Sequence, residues 1–187
     1  NENSPAGSGE AGERVGWIAA SVVALAALRF VQLGRWGLWV DEAFSLHDAR
    51  ALDLGQLKDN PLGYWLIARA LDFGGSAPSE ALLRIVPALF GIVSLFLTAW
   101  CFEPLFGRRR AWIAALLVGL SSWHMYWSQC ARFYTMAQAL SLVGAGLVLR
   151  GTLRGSTRTY VAGLVVAALA GTAHPSAAVL VPFLFAT

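Results

Sequence analysis

The stretch LWVDEAFSLHD, residues 38–48, sets two adjacent carboxylates, Asp41 and Glu42, in a chain that is otherwise mostly apolar. A second polar group, SSWHMYWSQCARFY at 121–134, carries His124, Ser128, Gln129 and Arg132, and His174 stands before Pro175. Asp59 and Asn60 complete the set. A carboxylate facing an arginine suits one reaction class well. When a sugar is carried on a lipid phosphate, the phosphate is already a good leaving group and needs no general acid. One carboxylate then suffices, as the base that takes a proton from an acceptor hydroxyl. Glycoside hydrolysis differs, since two carboxylates flank the bond there. The departing phosphate needs a cation, and arginine's planar fork matches its oxygens.

Each residue also has a plainer role. An acidic pair can simply open a helix, where the dipole favours negative charge by ~0.3–1 kcal/mol. His124 and His174 can be interfacial imidazoles, and Arg132 can hold a lipid headgroup. The aromatics Trp123, Tyr126, Trp127, Phe133 and Tyr134 can form the belt of a membrane protein. None of these roles explains why acid, arginine and histidine gather on one side of so short a chain. That gathering depends on the elements that carry them.

Hydrophobic residues make up 57% of the chain, charged residues 13%, and mean hydropathy is +0.57. A soluble domain keeps about a quarter of its residues charged. The apolar residues come in blocks at 15–34, 81–102, 111–127, 133–149 and 160–173, with a sixth run from Ser176. Blocks near the ~20 residues that cross a bilayer predict an all-α, polytopic membrane protein with about six spans. A secretory signal is a poor reading of 15–34, which lacks a basic leader and a small-residue end. Residues 1–14 are small and polar and are expected to form a disordered cytoplasmic tail. The final run is still apolar at PFLFAT, so 15–187 reads as the N-terminal part of a longer transmembrane domain.

The net charge of +3 resides in arginines, not in a nucleic-acid footprint. Arg108, Arg109 and Arg110 form one cluster, and Arg150, Arg154 and Arg158 another, both in short turns. Positive-inside counting makes those turns and the N-terminus cytoplasmic. The turn near 128–132 and the loop 35–80 then face outside. That loop holds seven acids against four basic residues, a local charge of −3. Cys101 and Cys130 fall at opposite membrane faces, too far apart for a bridge. Arg29 and Arg84, near the outer ends of their spans, read as arginines snorkelling to headgroups. Within the outer loop, one helix is expected to start near Asp41. A second, over 61–73, is expected to lie in the interface with Tyr64 and Trp65 at headgroup depth.

In order and spacing these features resemble the GT-C superfamily of integral-membrane glycosyltransferases. The likeness is to the branch with protein O-mannosyltransferases and aminoarabinose transferases. It covers about residues 17–175 and rests on LWVDEAFS, NPLGYWL at Asn60–Leu66, LLRIVPALFG and SQCARFY. The resemblance implies a polyprenyl-phosphate sugar donor, inversion, and catalysis on the outer face of the cytoplasmic membrane. The acceptor would be a lipid, glycan or protein. It implies Asp41 as general base with Glu42 as its partner, and donor-phosphate binding by Arg132, Gln129 and His174. Two positions depart from the pattern: Cys130 replaces an acid and Asn60 a histidine. Both changes remove ligands for a divalent cation. A Mg²⁺ or Mn²⁺ site would then rest on Asp41, Glu42 and waters. The same departures point to a rival, a catalytically inactive GT-C-like subunit or lipid-binding scaffold. A transporter would need ionisable residues in mid-span, and this chain has them at the ends.

Overall fold

A computed structural model describes residues 6–51, 60–72 and 79–185. Asp59 lies outside the described residues, as do 1–5 of the N-terminal tail. The architecture is all-α: nine α-helices and two short 3-10 turns, with no strand among the described residues. They are α1 (Ala6–Ala27), α2 (Val40–Ala51), α3 (Pro61–Asp72), α4 (Glu80–Phe106), α5 (Arg108–Leu120), α6 (Ser122–Ser128), α7 (Tyr134–Arg154), α8 (Thr157–Ala173) and α9 (Leu180–Phe185). The 3-10 turns follow α1 at Leu28–Phe30 and α8 at Pro175–Val179. Among the described residues, α4 and α7 are long and apolar enough to cross a membrane, and α8 is a shorter apolar helix.

Local chemistry sets the helix ends. Ser79 caps α4, its hydroxyl accepting from the Leu82 N–H at 3.3 Å, which satisfies one of the four orphan donors of a helix start. Ser156 does the same for α8 through the Thr159 N–H. Between them, α7 closes on Gly155, whose φ of 62° is left-handed, a conformation glycine adopts without penalty. The apolar run 111–127 was expected as one span, and the structure breaks it at Ser121. That residue is extended, at ψ 118°, and its hydroxyl caps α6. The hydroxyl supplies a new helix start that hydrophobicity alone does not register.

Helix α4 lies centrally, flanked by α5 and α7, with α1 packed on α5 and α8 paired with α7. On one flank, α3 packs on α4 and α8, and α2 on α3. Val22 and Ala26 of α1 meet Leu95, Ala99 and Ala115 in one core cluster. Ala49, Ile67, Leu83, Ala131 and Phe133 form a second cluster, beneath the loop helices. There α3 docks one face on the bundle. Ile67 and Ala68 are buried, and Tyr64 sets its ring edge-on to Phe133 at 4.7 Å. Trp65, Arg69 and Asp72 are exposed, because a helix with a buried stripe docks on the bundle and leaves the other side free.

The α7–α8 seam depends on small residues. A Cβ at Gly163 would come within 2.6 Å of the Val148 nitrogen and 2.8 Å of the Gly144 oxygen, both backbone atoms that cannot step aside. Close backbone approach over glycine and alanine is a common way to pack helices in lipid. Gly163→Val is therefore expected to cost at least the ~1–3 kcal/mol of an overpacked core. Gly16→Ala, with nothing within 4 Å, is expected to be neutral or to gain ~0.5–1 kcal/mol. Thermal unfolding of both variants in one detergent checks the pair.

Candidate functional site at the start of α2

The long helices separate two kinds of charge. With 27 residues, α4 is about 40 Å long. Arg84 lies near its start, and Arg108, Arg109 and Arg110 follow its end. Arg150, Arg154 and Arg158 flank the α7–α8 turn, while Arg132 precedes the start of α7. The arginine clusters and the residues singled out for chemistry thus occupy opposite ends of the bundle.

At the second end, Trp39 precedes α2 and Glu42 lies in its first turn. The Glu42 carboxylate reaches back to accept from the Trp39 N–H at 3.0 Å, which is half of a capping box. It then does more than cap. Arg84 grips it with Nε at 2.7 Å and a terminal nitrogen at 2.6 Å, and the Ala131 N–H donates to it at 2.8 Å. The remaining Arg84 donors go to the carbonyls of Leu33 at 2.8 Å, Trp36 at 2.9 Å and Gly37 at 3.1 Å. Glu42 is 1% exposed and Arg84 4%. One ion pair therefore ties together the 33–37 loop, α2, α4 and the α6–α7 turn, with every donor and acceptor engaged.

Burial alone would push the Glu42 carboxyl up, but the Arg84, Ala131 and Trp39 hydrogen bonds outweigh it and hold the group below its ordinary value of 4.5. Folded Glu42 thus releases its proton at lower pH than the unfolded chain does. Its stabilisation is present above pH ~4.5 and is lost as pH falls through the folded value. Melting temperature is expected to drop steeply on acidification below that point, and Glu42→Gln to flatten the slope.

Asp41 behaves differently. One residue along a helix turns the side chain by about 100°. Among the described residues, the half-buried Asp41 carboxylate has no hydrogen-bond or ion-pair partner. Its carbonyl accepts from the Ser45 hydroxyl at 3.0 Å and from Arg132 at 3.4 Å, and the same Arg132 nitrogen donates to Ser45 Oγ at 3.2 Å. Arg132 thereby lies on the first turn of α2 and keeps its other nitrogens uncommitted among the described residues. His174 is near enough for its pKa to be lowered, first by burial and then by the Arg132 charge. It is neutral at pH 7, its ring 4.6 Å from that of Tyr134 and its Nδ1 2.8 Å from Ser176 Oγ.

The structure thus sets Arg132 on the first turn of α2, which carries Asp41, leaves His174 against Tyr134 and Ser176, and gives Glu42 and Gln129 structural work. The Gln129 amide nitrogen donates to the carbonyls of Val31 at 3.0 Å and of Leu28 and Arg29 at 3.4 Å. These carbonyls lie at the end of the first helix and its 3-10 turn. Asn60 is buried at the head of α3, where its carbonyl accepts from the Tyr64 N–H. Cys130 is buried and free, and burial, ahead of its other influences, raises its thiol pKa. It brings no charge to the position.

Neither arginine expected to snorkel does so: Arg84 is engaged as above, and Arg29 is 0% exposed. Arg29 donates to the Leu25 and Gly119 carbonyls and, at 2.9 Å, to His124 Nδ1. Since arginine can only donate, the His124 proton sits on Nε2, which donates to Ser94 Oγ at 2.9 Å. Ser94 in turn donates to the Gly91 carbonyl. This buried chain was not anticipated, because its members come from α4, α6 and the turn after α1. Of the carboxylates expected to hold a divalent cation, Glu42 is committed elsewhere, which leaves Asp41. Both Glu42 oxygens are occupied by protein donors, and no group of three metal-ligating side chains occurs among the described residues. Comparison with protein-family models, curated proteins and solved structures gives no match.

Proposed function

We propose that this chain is a membrane glycosyltransferase of the GT-C type, transferring a sugar from a polyprenyl-phosphate carrier to an acceptor hydroxyl. The observation that carries the reading is on the first turn of α2: an Asp41 carboxylate without a hydrogen-bond or ion-pair partner among the described residues, and an Arg132 that holds the Asp41 carbonyl and Ser45 through one nitrogen and keeps the others uncommitted among them. In the transfer, Asp41 takes the acceptor's hydroxyl proton as its oxygen attacks the anomeric carbon. The bond from that carbon to the phosphate oxygen breaks, its electron pair stays with the phosphate, and the anomeric centre inverts. Arg132 receives the growing phosphate charge, with His174 a further hydrogen-bond donor to the phosphate by the resemblance alone. No step is assigned to a cation.

The membrane setting completes the reading. About six spans, an N-terminus in the cytoplasm and the arginine clusters facing inward would set the α2 site on the outer surface, by the positive-inside rule. An inactive GT-C-like subunit or lipid-binding scaffold is the second reading. It is favoured by the neutral Cys130 thiol and by Glu42's commitment to Arg84, which leave Asp41 as a single acid.

Incubating the reconstituted protein with a panel of polyprenyl-phosphate sugars and a membrane extract that supplies lipid, glycan and protein acceptors, and following release of free polyprenyl phosphate, tests the choice. The transferase reading expects release with at least one donor. Arg132→Ala should raise the donor KM by about tenfold to a hundredfold, the ~1.5–3 kcal/mol of a charged hydrogen bond. Donor binding without release from any member of the panel would instead establish the scaffold.

A further inference from the structure

At the end of the bundle that carries the arginine clusters, a groove of about 230 Å³ runs between α4, α7 and α9. Cys101, Phe102 and Leu105 line it from α4, Ala145 and Leu149 from α7, and Leu184 from α9. No charged side chain lines it, and its one hydroxyl, on Thr152, is spent on the Val148 carbonyl at 3.0 Å. Leu105 is 54% exposed, so the groove is open to its surroundings. From Ala145 to Thr152 it follows about 10 Å of α7. Its volume falls below the ~300–1,000 Å³ of drug-sized ligand sites. A polar ligand would bury groups without partners there. A slim apolar chain would not.

The charges begin where the groove ends. Arg108 follows Leu105 by three residues, and Arg154 follows Thr152 by two. The stretches 101–110 and 150–160 hold six arginines against one carboxylate, Glu103. Arg150 is spent within the bundle. It stacks over the Trp100 ring at 3.9 Å and donates to the carbonyls of Trp100 at 2.5 Å and Gly146 at 3.2 Å. The other five, Arg108, Arg109, Arg110, Arg154 and Arg158, are exposed, and their side chains have no hydrogen bond or salt bridge among the described residues. Three of them open α5, where the helix dipole disfavours cations, and no acidic residue in its first turn offsets that cost.

From this pairing of an apolar slot with a rim of uncompensated cations, we infer a binding site for an anionic phospholipid of the leaflet at that end. One acyl chain lies in the α4–α7–α9 groove, and the phosphate sits among the arginines of the two turns. Arginine's planar fork matches phosphate oxygens, and basic pockets between membrane helices hold anionic headgroups. A protein segment laid in the groove would fill it but leave the arginines without counter-charge. The polyprenyl-phosphate donor is not the occupant, since its phosphate is assigned to Arg132 at the far end of α4, about 40 Å away. The site does not rest on the transferase reading and is read by lipid binding alone, so the failure of either is distinguishable from that of the other.

Titration of the full chain in neutral detergent micelles with dioleoyl phosphatidylglycerol, with bound lipids counted by native mass spectrometry, tests the inference. One lipid is expected to bind about tenfold or more tightly than dioleoyl phosphatidylcholine, with a preference that shrinks as salt rises. Glycerol phosphate, which carries the phosphate without the chains, should bind about tenfold or more weakly than the lipid. These comparisons need no variant. Arg108→Gln and Arg154→Gln should each weaken binding about fivefold. Ala145→Phe, which fills the groove and leaves every charge in place, should abolish the tight site. Equal affinity for the two phospholipids, glycerol phosphate bound as tightly as phosphatidylglycerol, or unchanged binding in Ala145→Phe would each overturn it. A dimer that forms without lipid and is lost in Ala145→Phe would give the groove to a second copy, and would overturn it too.

Discussion

Glu42→Ala is expected to destabilise the protein by about 3–5 kcal/mol, the range for breaking a buried ion pair from one side. The loss is large because the truncation strands Arg84, 4% exposed, with one charge and no carboxylate, and leaves the Trp39 and Ala131 N–H groups without their acceptor. Arg84→Ala should cost at least as much. It strands the Glu42 carboxylate and also deprives the carbonyls of Leu33, Trp36 and Gly37 of their donor. The two losses are not additive, since both break the same contact. The double variant should fall well short of their sum, with a coupling of about 0.5–3 kcal/mol. Denaturant unfolding in detergent of the two single variants and the double variant measures this. A loss under about 1 kcal/mol in either single variant would mean the pair does not hold the loop and helices together.

The neighbouring carboxylate carries the opposite expectation. Asp41→Asn should leave stability nearly unchanged, because among the described residues its carboxylate has no partner to lose. Turnover should fall by about 10²–10⁴, the usual contribution of a positioned general base. Donor binding should survive, since Arg132 reaches α2 through the Asp41 backbone carbonyl and Ser45, not through the Asp41 side chain. Two adjacent acids thus differ in signature: Glu42 is read in unfolding curves and Asp41 in rates. The separation follows from helix geometry. Position 42 faces back to the helix start and inward to α4, while position 41 points about 100° away.

Much of this was legible in the sequence. The all-α class, a helix opening at Asp41 and Glu42, and the apolar helices α4, α7 and α8 follow from composition and block length. The approach of Arg132 to the first turn of α2, at the end of the bundle opposite the arginine clusters, follows from counting helices. The Glu42–Arg84 pair did not follow, for a physical reason. An arginine near the end of an apolar run looks the same whether it reaches for headgroups or turns inward. The choice is made by partners far away in sequence. A local signal did exist: Glu42 lies three residues after Trp39, the spacing at which a glutamate folds back on the helix start. Ser121 was likewise readable as a cap. It was hidden because the surrounding apolar block is long enough to pass for one span. The Arg29–His124–Ser94 chain had no such local mark, since each member alone resembles an isolated interfacial residue.

The central claim is that Asp41 takes the acceptor's proton while Glu42 only holds the site in place. The most direct measurement is single-turnover release of polyprenyl phosphate with donor and acceptor both saturating, comparing wild type with Asp41→Asn, with donor binding measured on the same samples. Release reduced by about 10²–10⁴ at unchanged donor affinity is the expected result. Equal release by both proteins would contradict Asp41 as the base.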